Sequence, residues 1–439
     1  MEREKKLSLF KSLIYLSIPT MIEEVLSTLL QYVDTAMVGQ LGETATASVS
    51  VTTTVSWLIH CIPSAVGIAT LSMIAQCVGS KDDKKLKRIA SQLPMLVILF
   101  GCVVGGLSVI LSPFIPIWMG AEESIRRQAS IYFAIVSATM VFRTSGWVFG
   151  SAIRATKDTK TPMLVNMGAN ILNVILNYLF IYTLDLKVTG AAIATAIAYT
   201  LAGAVMFIVF KKNTYFRDTK ITFKPDNEVL KQGGKIALPV MMTSVTSCAG
   251  YVVFASLVTG MGNTIFAAHS IAVNAETIFY IPGYGLRTAT STLVGISIGE
   301  KDQDKFDAVS KISIITTVLM MCLSGLLLYV VAFPLMEFFT SSRRVAEIGA
   351  EMLKLVAFSE PFFGLMIVTE GIFYGMGKTK YPFVVETFCM WGIRILSTFI
   401  VVRFLGLGLR EVWYCMIADN IGKALLLFAP FLSKKKRQI

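Results

Sequence analysis

Displaced by 220 positions, the 439-residue chain matches itself from end to end without a gap. Pro19 falls on Pro239, Val38 on Val258, Gly42 on Gly262 and Thr44 on Thr264, while Gly79, Lys81 and Asp82 fall on Gly299, Lys301 and Asp302. The register persists to Thr159, Lys160 and Pro162, which meet Thr379, Lys380 and Pro382. Most matched positions are Gly, Pro or loop residues, which set backbone turns and close helix approach. What is duplicated is therefore an architecture, and the positions that break the duplication are where chemistry is to be sought.

Hydrophobic residues make up 54% of the chain and charged residues 15%, against about 25% charged in soluble domains. This is the composition of a membrane protein. The charged start MEREKKLSLFK is not followed by a short apolar stretch with an A-x-A-like cleavage site, so no cleaved signal peptide is expected. Apolar runs long enough to cross a bilayer, ~20 residues, number six per repeat. In the first repeat they cover about 10–37, 44–76, 88–118, 124–152, 161–183 and 188–211; in the second, about 233–259, 265–297, 307–339, 346–373, 383–404 and 411–432. They are too long and too continuously apolar for barrel strands of ~10 alternating residues. The expected fold is an all-α membrane protein of twelve transmembrane helices in two six-helix lobes, 1–211 and 233–439, joined by a cytoplasmic linker, 212–232. An even number of spans per repeat makes both lobes enter from the same side, related by a pseudo-twofold axis along the membrane normal.

Basic residues set the orientation. Of 40 Lys and Arg, 28 lie in the two tails and the loops on the N-terminal side, and 7 in the opposite loops (Arg126, Arg127, Lys187, Arg343, Arg344, Arg403 and Arg410). By the positive-inside rule both termini are expected in the cytoplasm. That asymmetry, with anionic lipid as its partner, accounts for the net charge of +12 without any nucleic acid. All seven cysteines fall inside spans or, for Cys77, at a span end, and show no metal-ligand spacing. No P-loop, G-x-S-x-G or H-E-x-x-H pattern is present, so an enzyme is not expected and any uphill work must draw on an ion gradient.

An ionisable residue inside a span costs ~2.5–3.5 kcal/mol at mid-bilayer on insertion scales and so points to a use. Intramembrane acids include Glu23, Glu24, Asp34, Glu276, Glu360, Glu370, Glu386 and Asp419; bases include Arg143, Arg287, Lys354, Arg394 and Lys423. Asp419 and Lys423 stand one helical turn apart and read as a structural pair. Lys354, Glu370 and Glu386 lie near span ends, from which they can snorkel to water. Span 1 differs: at ~100° per residue, Thr20, Glu24, Ser27, Gln31 and Asp34 share an arc of about 80°. Such a stripe needs water or polar partners, since lipid supplies neither. Asn170, Asn173 and Asn177 of span 5 and Thr195 of span 6 are the proposed partners. The alternative for the asparagines is interhelical hydrogen bonding that only packs helices. At the 220 offset Asp34 becomes Phe254, Asn173 becomes Ile393 and Asn177 becomes Ser397, so the cluster belongs to the first lobe alone.

The opening IPTMIEEVLSTLLQYVDTAMVGQLG, with its helix proline Pro19, the acid Asp34 and the turn Val38 to Gly42, resembles the first helix of MATE (multidrug and toxic compound extrusion) transporters. IAQCVGSKD, IRATKDTKTP, NVILNYLFIY with GAAIATAIA, and FYGMGKTKYP extend the resemblance along the chain. It implies a two-lobed antiporter of a prokaryotic cytoplasmic (inner) membrane that exports small organic, often cationic and amphipathic, compounds in exchange for H⁺ or Na⁺. No other cofactor, no metal beyond Na⁺ and no obligate oligomer is expected. The DinF-like branch places its cation site at positions that correspond to Asp34, Asn173, Asn177 and Thr195, although the branch often has Asp where Asn177 stands. A NorM-like site would need a Glu in span 7, which has no carboxylate. Glu24, Glu276 and Glu360 are possible secondary acids. Gln31, Tyr32, Trp147, Tyr251 and Tyr280 are candidates for the substrate cavity, aromatic faces being suited to organic cations. The alternative within the superfamily is a flippase for a lipid-linked precursor, for which Arg143, Arg287 and Arg394 would hold phosphates.

Overall fold

The computed structural model describes residues 2–432, with side chains from residue 4; the basic segment Lys434 to Arg437, counted above in setting the orientation, lies outside the described residues. The first repeat contains α1 (Glu2–Gly39), α2 (Glu43–Ser80), α3 (Asp83–Leu111), a bent α4 (Glu123–Ala138 and Met140–Ala155), α5 (Lys160–Asn177, continuing in a π-helical turn Tyr178–Thr183) and α6 (Lys187–Lys212). The second contains α7 (Asn227–Thr259), α8 (Asn263–Glu300), α9 (Gln303–Phe339), a bent α10 (Arg343–Ala357 and Glu360–Met376), α11 (Lys380–Phe388, a π-helical turn Cys389–Ile395, then Leu396–Arg403) and α12 (Leu409–Leu432). The protein is an all-α membrane protein of twelve long helices, six per repeat. Nine of these helices, and the two bent pairs, are each long and apolar enough to cross a bilayer among the described residues. The remaining one, α8, matches α2 in length but carries His269, Glu276 and Arg287.

The repeat governs backbone detail. Gly42 and Gly262 open α2 and α8 at φ 103° and 109°, a conformation open to glycine alone at little strain. Lys81 and Lys301 close the same helices at φ 54° and 55°. Asp82 and Asp302 then cap α3 and α9, each accepting from a backbone N–H three residues on, at 2.9 and 2.8 Å. A Cβ on Gly105 would lie 3.0 Å from the Ser137 carbonyl, and one on its repeat mate Gly325 2.5 Å from the Ala357 carbonyl. The crossings of α3 with α4 and of α9 with α10 thus depend on a missing side chain. Both bent helices break at repeat mates, Thr139 and Ser359, by 46° and 57°. Pro361 restarts the second segment of α10, where its missing N–H breaks no helical bond.

Packing separates the described chain into two compact units, cut inside helices. One runs Ile22–Met241; the other combines the residues up to Met21 with those from Met242 on. The cuts in α1 and α7 are themselves 220 residues apart and follow Pro19 and Pro239. Accordingly Leu13 and Leu16 are buried in one apolar cluster with Leu286, Leu293, Phe306 and Leu427. In the other unit the segment before α7 is strapped to the start of α3. Arg88 grips both oxygens of Asp226 and reaches Glu228 at 2.7 Å, Gln92 donates to the Lys224 carbonyl at 3.1 Å and accepts from the Asp226 N–H at 3.0 Å, and the Thr222 N–H donates to the Ser91 carbonyl at 3.3 Å.

Candidate functional site

Within the unit Ile22–Met241, α1 and α5 are joined by three polar rungs. Asn166 donates to Glu23 at 2.5 Å, Asn170 to the Ser27 hydroxyl at 3.1 Å, and Asn177 to Asp34. Each pair is 143 residues apart, as two parallel helices in register require. Arg154, at the end of α4, closes the first rung by clamping both Glu23 oxygens at 2.7 and 2.8 Å. The last rung extends sideways: Asn177 also donates to the Asn173 carbonyl oxygen, and Asn173 to the Thr195 hydroxyl of α6, both at 3.2 Å. Asp34, Asn177, Asn173 and Thr195 therefore form one connected cluster from three helices, the arrangement expected of them.

The ladder's two ends differ in charge. Glu23 is neutralised by Arg154, whereas the polar partner that the Asp34 carboxylate has is the amide of Asn177. Asn177 is fully buried, and its Oδ1 meets no donor among the described residues. A buried carbonyl oxygen without a donor, beside a carboxylate without a cation, is an arrangement that a bound cation or a proton would complete. The π-helical turn of α5 begins at the next residue, Tyr178; such turns recur at functional sites.

Three expectations need correction. Glu23 rather than Glu24 forms the rung with Asn166: Glu23, Ser27 and Asp34 share an arc of about 40° at ~100° per residue, narrower than the stripe read through Glu24. Gln31 has an exposed side chain and is not a rung. Glu370 does not snorkel; it is buried, ion-paired to Arg287 at 2.9 Å and accepts the Tyr374 hydroxyl. Arg154, on the last turn of α4, is what makes Glu23 matter.

Glu276 and Glu360 lie in the other unit, both buried. Glu276 accepts from Tyr280, whose ring stacks on Phe363 at 4.0 Å, while among the described residues neither oxygen of Glu360 meets a donor. Asp419 pairs with Lys423 at 3.0 Å, as the helical spacing implied, and also with Arg394 at 2.8 Å. The aromatic candidates divide between the units: Tyr32 and exposed Trp147 in one, exposed Tyr251 and Tyr280 in the other.

The family model MatE matches residues 19–179 and again 239–400. The chain belongs to the MatE family. The two MatE segments begin 220 residues apart, which is the internal repeat. The chain is 28% identical over 431 residues to the probable multidrug resistance protein NorM of Thermotoga maritima, covering 97% of this chain and 92% of that protein. It is 22% identical over 447 residues to the probable multidrug resistance protein YoeA of Bacillus subtilis, covering 99% and 96%. Its fold matches, at a TM-score of 0.90 and 23% identity, an outward-facing multidrug resistance MATE family transporter of the MOP superfamily, over 96% of this chain and 94% of that one. A MOP superfamily transporter from Pyrococcus furiosus, described as having reversed polarity of its binding pocket, matches equally at 0.90 and 23%. As a MatE protein the chain is a multi-pass membrane transporter of small substrates, not an enzyme.

Proposed function

We propose that this transporter is a multidrug efflux antiporter of a prokaryotic cytoplasmic membrane. It exports organic, mostly cationic or amphipathic compounds by alternating access, in exchange for H⁺ or Na⁺ taken up at Asp34. The observation that carries this reading is the uncompensated carboxylate of Asp34 held against Asn177, Asn173 and Thr195. A proton would bind the carboxylate itself. Na⁺, a hard cation that takes oxygen ligands, would find the carboxylate, the free Asn177 Oδ1 and the Thr195 hydroxyl. Occupancy removes a bare charge from the helix contact, and so changes how α1 packs against α5 and α6. The chain acts as a monomer with both termini in the cytoplasm, and its two repeats, 1–211 and 233–439 joined by 212–232, are its lobes.

The flippase alternative needs cationic side chains available for phosphate. Arg287 and Arg394 are instead ion-paired to Glu370 and Asp419, and Arg143 lies 4.5 Å from the centre of the Tyr199 ring. The deciding experiment is export of a fluorescent organic cation from proteoliposomes under an imposed H⁺ or Na⁺ gradient. Asp34→Asn keeps the side chain's shape and removes its charge change, so it inserts normally and loses gradient-driven export. Wild-type export by this variant would refute the reading.

A further inference from the structure

The unit that lacks a counterpart of Asp34 is not without a cation at the equivalent place. At the 220 offset Phe254 replaces Asp34, Tyr251 replaces Gln31, and Ile393 replaces Asn173. The guanidinium of Arg394 lies 5.7 Å from the Phe254 ring centre and 5.5 Å from that of Tyr251. It is buried, paired to Asp419 at 2.8 Å and donates to the Asn420 side chain at 3.2 Å, both on α12.

The π-helical turn explains how Arg394 reaches this place from a position one residue beyond Ile393. A turn closed by an i→i+5 bond holds about one residue more than an α turn. In α5 that turn follows Asn173 and Asn177, but in α11 it runs Cys389–Ile395 and so precedes or contains their counterparts. Everything after its start lags by about one residue, and Arg394 takes the side that Ile393 would occupy. The burial pattern agrees: the mate of fully buried Asn177 is by sequence Ser397, but the fully buried residue is the next one, Thr398.

The acid that faces Arg394 is held by fixed cations, whereas Asp34 is held by an amide. Asp419 pairs with both Arg394 and Lys423, while Glu276, Glu360 and Glu386 are further acids of the same unit, interacting with Arg394, with Glu276 and with Lys423 in turn. Around Asp34 one carboxylate has the amide of Asn177, and no ion pair to it is found among the described residues. We propose that Arg394 is the resident cation of its unit, permanently filling the place that an exchangeable cation fills beside Asp34, so that cations are exchanged at one unit only. The proposal rests on the reading of Asp34 given above.

The test counts cations bound per chain in purified, folded full-length protein, using ²²Na⁺ and, in sodium-free choline buffer, protons taken up from a weakly buffered solution. Arg394→Gln removes the tethered charge and is expected to bind one more cation per chain than wild type, with the gain abolished when Asp419→Asn and Glu276→Gln are added. An unchanged count overturns the proposal. Arg394→Lys keeps a tethered charge and is expected to leave the count at the wild-type value, so a gain there overturns it equally and serves should Arg394→Gln fail to fold. Asp34→Asn is expected to bind one fewer. No loss in that variant would sink the Asp34 reading, and because the gain from Arg394→Gln is also measured on the Asp34→Asn background, the two failures are told apart.

Discussion

Glu23 and Arg154 show how one ladder can hold a structural acid beside the one proposed to work, Asp34. Their side chains are 12% and 11% exposed and locked together by two hydrogen bonds. Removing one partner of such a pair strands the other charge, which typically costs about 3 kcal/mol or more. Arg154→Met is therefore expected to lower the melting temperature of the detergent-solubilised protein, while Asp34→Asn, which strands no partner charge, leaves it near wild type. Comparable losses in both would show Asp34 to be a packing residue. Asp34→Glu keeps the titrating group with one extra methylene and is expected to retain export within about tenfold of wild type, a barrier change of ~1.4 kcal/mol; proteoliposome flux measures it. Asp34 was legible from sequence because a carboxylate in a span cannot be hidden by lipid. Glu23 was not, because two adjacent acids compete for one face and the arbiter, Arg154, is 131 residues away.

At the scale of elements, the breaks and π turns carry the geometry that hydropathy does not register. An apolar scan finds a span of the right length whether or not it bends at Thr139, and nothing in CMWGIRI marks a widened turn. The glycine crossings were legible as matched positions, and the structure supplies their reason. Gly325→Ala is expected to destabilise by about 1–3 kcal/mol, as overpacking does, because its Cβ would press on the Ala357 backbone. Gly106→Ala, with nothing within 4 Å, should be neutral; a thermal shift of the same size in both would refute the crossing argument. The strap before α7 has its own pH signature. Arg88 holds the Asp226 carboxyl below the ordinary carboxylate range, so the contribution of this pair is present above the ordinary Asp value of about 3.9. It is lost only as pH falls through the depressed value. Hydrogen exchange over residues 222–228 should stay slow to below about pH 4 in wild type and be fast at pH 7 in Arg88→Ala. Equal exchange in the two proteins would show the strap to be idle.

For the whole molecule, the repeat was legible because turn and crossing residues were kept while the cluster around Asp34 was not. The cuts inside α1 and α7 were invisible to it, since a self-comparison shows which residues correspond and not which pack together. Those cuts bear on how the protein is made. As the chain leaves the ribosome, Leu13 and Leu16 are synthesised first, yet the cluster that buries them is finished only when Phe306 and Leu427 have appeared. The first members of that cluster beyond α1 are Leu286, Ala289 and Leu293, so the start of α1 gains these neighbours only after about two thirds of the chain has been made. The unit Ile22–Met241 can close as soon as the first turns of α7 emerge. The earliest residues of the chain are thus among the last to have their neighbours completed.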